Sequence, residues 1–245
     1  MIDTILNVLV YALLPVAATI LGATVAVFRP PGPGLRSMAQ HFAAGVVFSV
    51  VAVELLPDVV KAHTRVAAFD AVIGFALGVG AMLLLRSLTG EVSAEQASGT
   101  GKLPTSMLAA IGIDILTDGF LIGVGFAAGA KEGKLLTLAL TIELLSLGLA
   151  TAVALSETGM ARAKNILTNA ALASLIVVGA LVGAVLLSRL SANVLEVVLS
   201  FGLAALLFLV TEELLVEAHE VPETPLTTAT FFAGFLIFMV LGMLG

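Results

Sequence analysis

The chain of 245 residues contains no cysteine and no tryptophan, and only 11% of its residues are charged. Without cysteine it has no disulfide framework, no thiolate metal site and no cysteine nucleophile. Without tryptophan, the aromatic residues that anchor membrane proteins at the lipid–water interface are reduced to Tyr11 and scattered phenylalanines. Lysine and arginine total only 11 and form no basic patch, so nucleic-acid binding is not expected.

Hydrophobic residues, in contrast, make up 60% of the chain, and its mean hydropathy is +1.16. A helix needs about 20 consecutive apolar residues to cross a bilayer, and segments of this kind recur along the whole sequence. They run approximately over 3–28, 38–61, 66–86, 106–130, 134–156, 165–188, 192–218 and 226–244. The sequence therefore predicts an all-α polytopic membrane protein whose eight transmembrane helices form a single domain over residues 1–245.

The loops between these segments are short, apart from residues 87–105, whose glycines and small polar residues predict a flexible connector. Basic loop residues divide six against five between the two sides, so the positive-inside rule indicates no orientation. The small size and short loops favour a multi-pass protein of a bacterial inner membrane. Glycines at four-residue spacing predict close helix contacts, at Gly74/Gly78, Gly119/Gly123, Gly125/Gly129 and Gly179/Gly183.

Acidic residues lie inside the apolar segments, where a carboxylate at the bilayer centre costs about 3 kcal/mol on insertion scales. Asp114 and Asp118 are four residues apart, which places both on one face of a helix. Glu143 is the deep acid of the next segment, and Ser146 follows it on nearly the same face as a candidate fourth metal ligand. Because unpaired carboxylates repel one another, the pattern favours a bound cation or shared protons. A protonated, hydrogen-bonded pair that only joins helices is the alternative for Asp114 and Asp118.

Two other segments carry acids that are candidates for a transport path. Glu54 and Asp58 lie one turn apart on either side of Pro57, which can kink or end the second helix. The seventh segment contains Glu212, Glu213 and Glu217. In an α-helix the first two of these point about 100° apart, whereas the last two share a face. At helix ends, Asp58 and Glu217 are equally explained as solvated interface residues.

The ligand types narrow the choice of ion. Carboxylate, hydroxyl and carbonyl oxygens suit hard cations such as Mg²⁺ and Mn²⁺, whereas imidazole and thiolate favour Zn²⁺ or copper. The chain has only three histidines, which are His41, His63 and His219. His41 begins the second segment and is either an entrance ligand or an ordinary interface residue. We expect surface roles for the other two, in a loop and just past the seventh segment.

At these residues the chain resembles the ZIP (Zrt/Irt-like) family of divalent-metal transporters, over nearly its whole length. The fourth helix of that family carries a His-Asn-x-Pro-Glu/Asp-Gly signature, which matches the stretch from Asp114 to Gly119. In this alignment Asp118 takes the metal-bridging acid position, Asp114 replaces the histidine and Ile115 replaces the asparagine. The runs 54–58 and 212–217 resemble acid-bearing stretches of the family's second and seventh helices.

The resemblance implies eight helices in a 3+2+3 arrangement and a metal site at the bilayer midplane. Helix 5 departs most from the family pattern. Aligned on Gly148, the first ligand position holds Glu143, and the acid before the glycine becomes Leu147. The family's binuclear centre is therefore not expected to be intact. The resemblance instead implies a single carboxylate site built from Asp114, Asp118 and Glu143.

We therefore expect a transporter of divalent metal cations that carries Mn²⁺, Fe²⁺ or Mg²⁺ as well as, or instead of, Zn²⁺. The cation is the substrate, the lipid bilayer is the other partner, and no prosthetic group is expected; assembly as a homodimer is left open. A non-transporting ZIP-like scaffold or sensor is the first alternative. The second is an intramembrane hydrolase with a metal-activated water, but the chain has no His-Glu-x-x-His motif, and no enzyme is expected.

Overall fold

A computed structural model describes residues 2–60, 65–96, 105–187 and 192–244, and all regular structure in these ranges is helical. The α-helices are α1 (Ile2–Phe28), α2 (Pro33–Val50), α3 (Leu56–Val60), α4 (Arg65–Gln96), α5 (Thr105–Ala128), α6 (Ala130–Glu157), α7 (Arg162–Leu187), α8 (Ala192–Phe208), α9 (Leu215–Ala218) and α10 (Pro225–Leu244). Two π-helical turns join some of them: π1 (Val51–Leu55) links α2 to α3, and π2 (Leu209–Leu214) links α8 to α9.

Within the described ranges, eight helical segments are long and apolar enough to cross a membrane, which confirms the predicted all-α, multi-pass membrane protein. Their outer faces are apolar: Leu6, Leu13 and Leu21 of α1 are exposed, whereas Val8 and Ala12 of the same helix are fully buried. In lipid every backbone polar group must be satisfied within the protein, and a helix does this along its own length. The exposed leucines are therefore explained as the lipid-facing surface of a transmembrane helix.

The connector predicted over 87–105 is wrong in its first half, because α4 continues as helix to Gln96. The apolar pattern ends near Arg86, where the chain leaves the lipid, but a helix does not have to end at the membrane surface. Residues with good helix propensity, such as Glu91, Ala94 and Glu95, continue it. Residues 97–104 of the predicted connector, and the loop with His63, lie outside the described part of the chain.

Glycines set the pairing of the helices. The main pairs are α1 with α6, α2 with α10, α4 with α8 and α5 with α7. A Cβ atom on Gly119 would lie 2.9 Å from the Ile176 Cα atom of α7, and one on Gly179 would lie 3.0 Å from the Gly119 Cα atom. Only hydrogen fits at such distances, so small residues let the backbones touch. The expected packing role therefore holds for Gly119/Gly123 and Gly179/Gly183, whereas Gly129 lies between α5 and α6 and makes no close contact with another helix backbone in the described ranges, so the pair Gly125/Gly129 was predicted wrongly.

The two π-turns coincide with acidic residues. In π1 the Leu56 N–H bonds to the carbonyl of Val51, five residues earlier, instead of four. π1 contains Glu54, and π2 contains Glu212 and Glu213. π-Turns amount to one extra residue in a helix and occur frequently at functional sites. In both acidic segments the wider π-turn therefore replaces the α-helical geometry, in which successive side chains point about 100° apart.

Pro57 gives a physical reason for π1. A proline inside a helix has no N–H to donate, and its ring collides with the carbonyl four residues earlier. That carbonyl belongs to Val53, which lies within π1. The wider turn moves it away from the ring, so the helix continues to Val60 and does not end at the proline.

Candidate metal centre

Three carboxylates from two helices meet in the interior. Asp114 and Asp118 lie near the middle of α5, and Glu143 lies near the middle of α6. Each offers an oxygen, and these three oxygens all lie within 4.8 Å of one another. Asp118 and Glu143 are buried, with 1% and 2% of their surfaces exposed, while Asp114 is half-buried. The structure thus brings together the three residues expected to form one site.

Two of these oxygens have nothing to bind. In the described part of the chain, Asp118 Oδ2 and Glu143 Oε2 are buried and have no hydrogen-bond partner. Leaving a buried polar atom unsatisfied costs about 1–3 kcal/mol, and more when it is charged. A divalent cation would satisfy both oxygens at once and neutralise the repulsion between the carboxylates. The donor set of carboxylate oxygens therefore fits a hard cation.

A small cavity lies beside this triad, with a volume of about 20 Å³. Its polar lining consists of Gln40, Asp114, Glu143, Ser146, Glu213 and Glu217. Asp114 and Glu213 line the same small space, and two carboxyl groups so placed favour a proton or a cation between them. Ser146, expected as a fourth ligand, is buried at this cavity with 5% of its surface exposed. Helices α2, α5, α6 and α9 and the π2 turn all contribute to the same space.

Two larger cavities continue from this one. The first, of about 260 Å³, is lined by Asp114, Thr117, Glu213 and Glu217 among apolar side chains. The second, of about 350 Å³, is lined by residues of α2, α5 and α6, by Glu220 and Val221 of the α9–α10 connection, and again by Glu217. Because Glu217 lines all three cavities, they lie next to one another around this side chain.

Basic and amide groups control the orientation of these acids. Arg86 of α4 lines the 260 Å³ cavity and forms an ion pair with Glu212, so Glu212 is held at the wall by a cation. Gln40 of α2 donates a hydrogen bond from its Nε2 atom to Glu217 Oε2. The sequence analysis assigned no role to Gln40 or Arg86. A glutamine in an apolar helix was a visible signal for Gln40, but Arg86 stands at a segment end, where an arginine is ordinary.

Glu54 and Asp58 lie elsewhere. They line a separate cavity of about 310 Å³ together with Pro57, Lys131 and Glu132, at the opposite end of the second span from Pro33. Glu54 is buried, and its Oε2 atom lies 3.5 Å from the Nζ atom of Lys131. The structure therefore does not bring these two acids to the triad.

His41, the expected entrance residue, is also apart from the triad. It is buried in α2 with 3% of its surface exposed, and its ring lies edge-on to that of His219, with the centroids 5.2 Å apart. Its neighbour Gln40 lines the small cavity, so these two adjacent residues of α2 lie in different environments.

Comparison with protein families and with curated proteins identified no relative of this chain. The chain matches none of the protein-family models, and no curated protein is significantly similar to it. The eight apolar helices with a buried carboxylate triad between α5 and α6 place the chain among the multi-pass membrane proteins.

Proposed function

We propose that the protein transports divalent metal cations, with Asp114, Asp118 and Glu143 as the substrate-binding site. The observation that carries this proposal is the pair of buried, unpartnered oxygens on Asp118 and Glu143. A carboxylate pair that only joined helices would use its oxygens in hydrogen bonds between them. Buried oxygens that lack a hydrogen-bond partner, on carboxylates whose oxygens come within 4.8 Å of one another, are instead suited to bind an ion that comes and goes.

The cavities support passage and not only binding. Glu213 and Glu217 line the cavities next to the triad, and one of these reaches the end of the molecule with the start of α2 and the α9–α10 connection. Acidic walls attract cations and raise their local concentration. Glu54 and Asp58, in the cavity at the other end, would serve the opposite opening.

The ligand set supports an altered ion preference. Three carboxylates with Ser146 and Gln40 nearby form an oxygen-only environment, which suits Mn²⁺, Fe²⁺ or Mg²⁺ as well as, or instead of, Zn²⁺. We further propose that the protein is a divergent ZIP-like transporter of a bacterial inner membrane. The matching stretches around Asp118, Glu143 and Glu213 support that assignment.

The test is uptake of Mn²⁺, Fe²⁺, Zn²⁺, Cd²⁺ and Mg²⁺ into proteoliposomes by the wild type and by Asp118→Asn. Asparagine keeps the shape of the side chain but removes the negative charge and one oxygen ligand. We expect uptake of the preferred ion to fall at least about tenfold, equivalent to about 1.4 kcal/mol of lost binding or transition-state stabilisation.

Glu157→Gln is the matched control, because Glu157 is an exposed carboxylate at the end of the helix that also carries Glu143. It should transport like the wild type. Wild-type uptake that Asp118→Asn leaves unchanged would refute the site. No uptake of any ion by folded wild-type protein would refute transport and support the scaffold or sensor alternative.

A further inference from the structure

A second group of ligand-type side chains lies outside the carboxylate site. His41, His219 and Glu223 each offer one ligand atom, and these atoms lie within 4.8 Å of one another. His41 is in α2, whereas His219 and Glu223 belong to the turn between α9 and α10. His219 Nε2 and Glu223 Oε1 form an ion pair, and both side chains are about half exposed. The group thus combines one buried imidazole with two accessible ligands.

The protonation of His41 leaves one nitrogen open. Its Nδ1 atom lies 2.9 Å from the backbone oxygen of Ser37, which can only accept a hydrogen bond, so Nδ1 carries the proton. Nε2 then has a free lone pair, and it is buried without a hydrogen-bond partner in the described part of the chain. Histidines that bind metals usually donate their second N–H to a carbonyl or carboxylate in this way, which fixes the tautomer and the ring orientation.

The backbone holds the two sides of the group together. Ser37 donates a hydrogen bond of 2.7 Å from its Oγ atom to the carbonyl oxygen of Ala218, the residue before His219. This bond joins the first turns of α2 to the end of α9. The position of His219 relative to His41 is therefore set by a buried contact and does not depend on the surface loop alone.

We propose that His41, His219 and Glu223 form a second metal site, which binds a borderline transition-metal ion such as Zn²⁺. Two imidazole nitrogens and one carboxylate are a donor set typical of such ions, in contrast to the all-oxygen set between α5 and α6. In this proposal the ion is held by His219, by Glu223 and by the free lone pair of His41 Nε2. The exposed side chains of His219 and Glu223 can move apart to admit it. This site does not depend on the transport proposal.

The test uses the full chain, purified in detergent with any histidine tag removed, and Cu²⁺ as a spectroscopic probe. Pulsed electron paramagnetic resonance detects the remote nitrogen of each bound imidazole, and a carboxylate site gives no such signal. We expect two imidazoles on the bound ion in the wild type and in Asp118→Asn. His219→Gln should lose one of them, and its affinity for Zn²⁺, measured by calorimetry, should fall at least about tenfold, as is typical for disrupted metal sites.

Glu223→Gln should weaken Zn²⁺ binding while keeping both imidazole signals. The control is His63→Gln, which removes the remaining histidine of the chain and should behave like the wild type. Because His219 is exposed, its substitution leaves the folded core intact and the result can be interpreted even if His41→Gln does not fold. Absence of imidazole coordination in the wild type, or unchanged Zn²⁺ affinity in His219→Gln, would overturn the proposal.

Discussion

At the scale of single residues, the wall of the 260 Å³ cavity combines a cation with several acids. Arg86 pairs with Glu212 there, and about half of the arginine side chain is exposed. A positive charge on this wall opposes the approach of a metal cation, since like charges repel. If the protein transports cations as proposed, Arg86 lowers the attraction that Glu213 and Glu217 exert on them.

We expect Arg86→Gln to lower the half-saturating concentration of the divalent cation in transport roughly two- to fivefold at low ionic strength, the range typical of partly exposed charges. The effect should disappear in about 0.5 M salt, because exposed charges are screened there. The measurement is initial uptake against ion concentration in both buffers. Arg162→Gln is the control, since Arg162 stacks on Phe28 and lines none of the described cavities. A higher half-saturating concentration in Arg86→Gln would contradict this electrostatic role.

The triad could be predicted from the sequence because each acid is conspicuous by itself. Asp114 and Asp118 are four residues apart in an apolar helix, and Glu143 is isolated in the next. The spacing of residues along one helix carries no information about which other helix those residues contact. The positions of Gln40 and Arg86 beside the acidic residues could therefore not be predicted. For the same reason the sequence does not show that Glu54 lies in a separate cavity with Lys131, away from Glu213 and Glu217.

At the scale of helices, the position of the metal ligands depends on contact between glycine backbones. Gly119 directly follows the ligand Asp118, and it packs against Ile176 and Gly179 of α7. The glycine spacing predicted close packing, but the partner helix was not predictable, because glycines look alike on every helix. The π-turns were not predictable either, since they add a residue without changing the apolar composition.

Gly179→Ala should destabilise the protein by about 1–3 kcal/mol, the usual cost of overpacking a filled interior. Its added methyl group would lie 2.8 Å from the Phe120 nitrogen and would push α5 away from α7. Thermal unfolding in detergent measures this as a lower midpoint, and metal binding at Asp118 should weaken as well. Gly80→Ala is the matched control, because nothing lies within 4 Å of its added methyl group. An equal loss of stability in both variants would contradict the contact between backbones.

At the scale of the whole molecule, the loops fall into two sets at opposite ends. Pro33 at the start of α2 and Glu220 of the α9–α10 connection line the 350 Å³ cavity, whereas Asp58, Lys131 and Met243 line the cavity at the other end. The second span extends over 28 residues between these ends. At 1.5 Å per residue it is about 42 Å long, enough to cross a bilayer with its headgroups.

Because the chain has no cysteine, single cysteines can report this topology without background. In intact cells or sealed vesicles, Gly32→Cys and Glu220→Cys should react with a membrane-impermeant maleimide from one side, and Lys131→Cys from the other. Labelling of disrupted membranes controls for access to each site. Reaction of Gly32→Cys and Lys131→Cys from the same side would contradict a second span whose two ends lie on opposite sides of the membrane.

The cavity of about 20 Å³ beside the triad has one further consequence. Such a volume holds about one water molecule, since a single water needs roughly 10–15 Å³ of this kind of space. A hydrated divalent ion is far larger, so it has to shed nearly all of its water before it reaches Glu143. Mg²⁺ gives up its water reluctantly. Under the proposed transport function, we therefore expect the narrow space to select ions by how easily they lose water and to favour Mn²⁺ over Mg²⁺, although both suit the same oxygens.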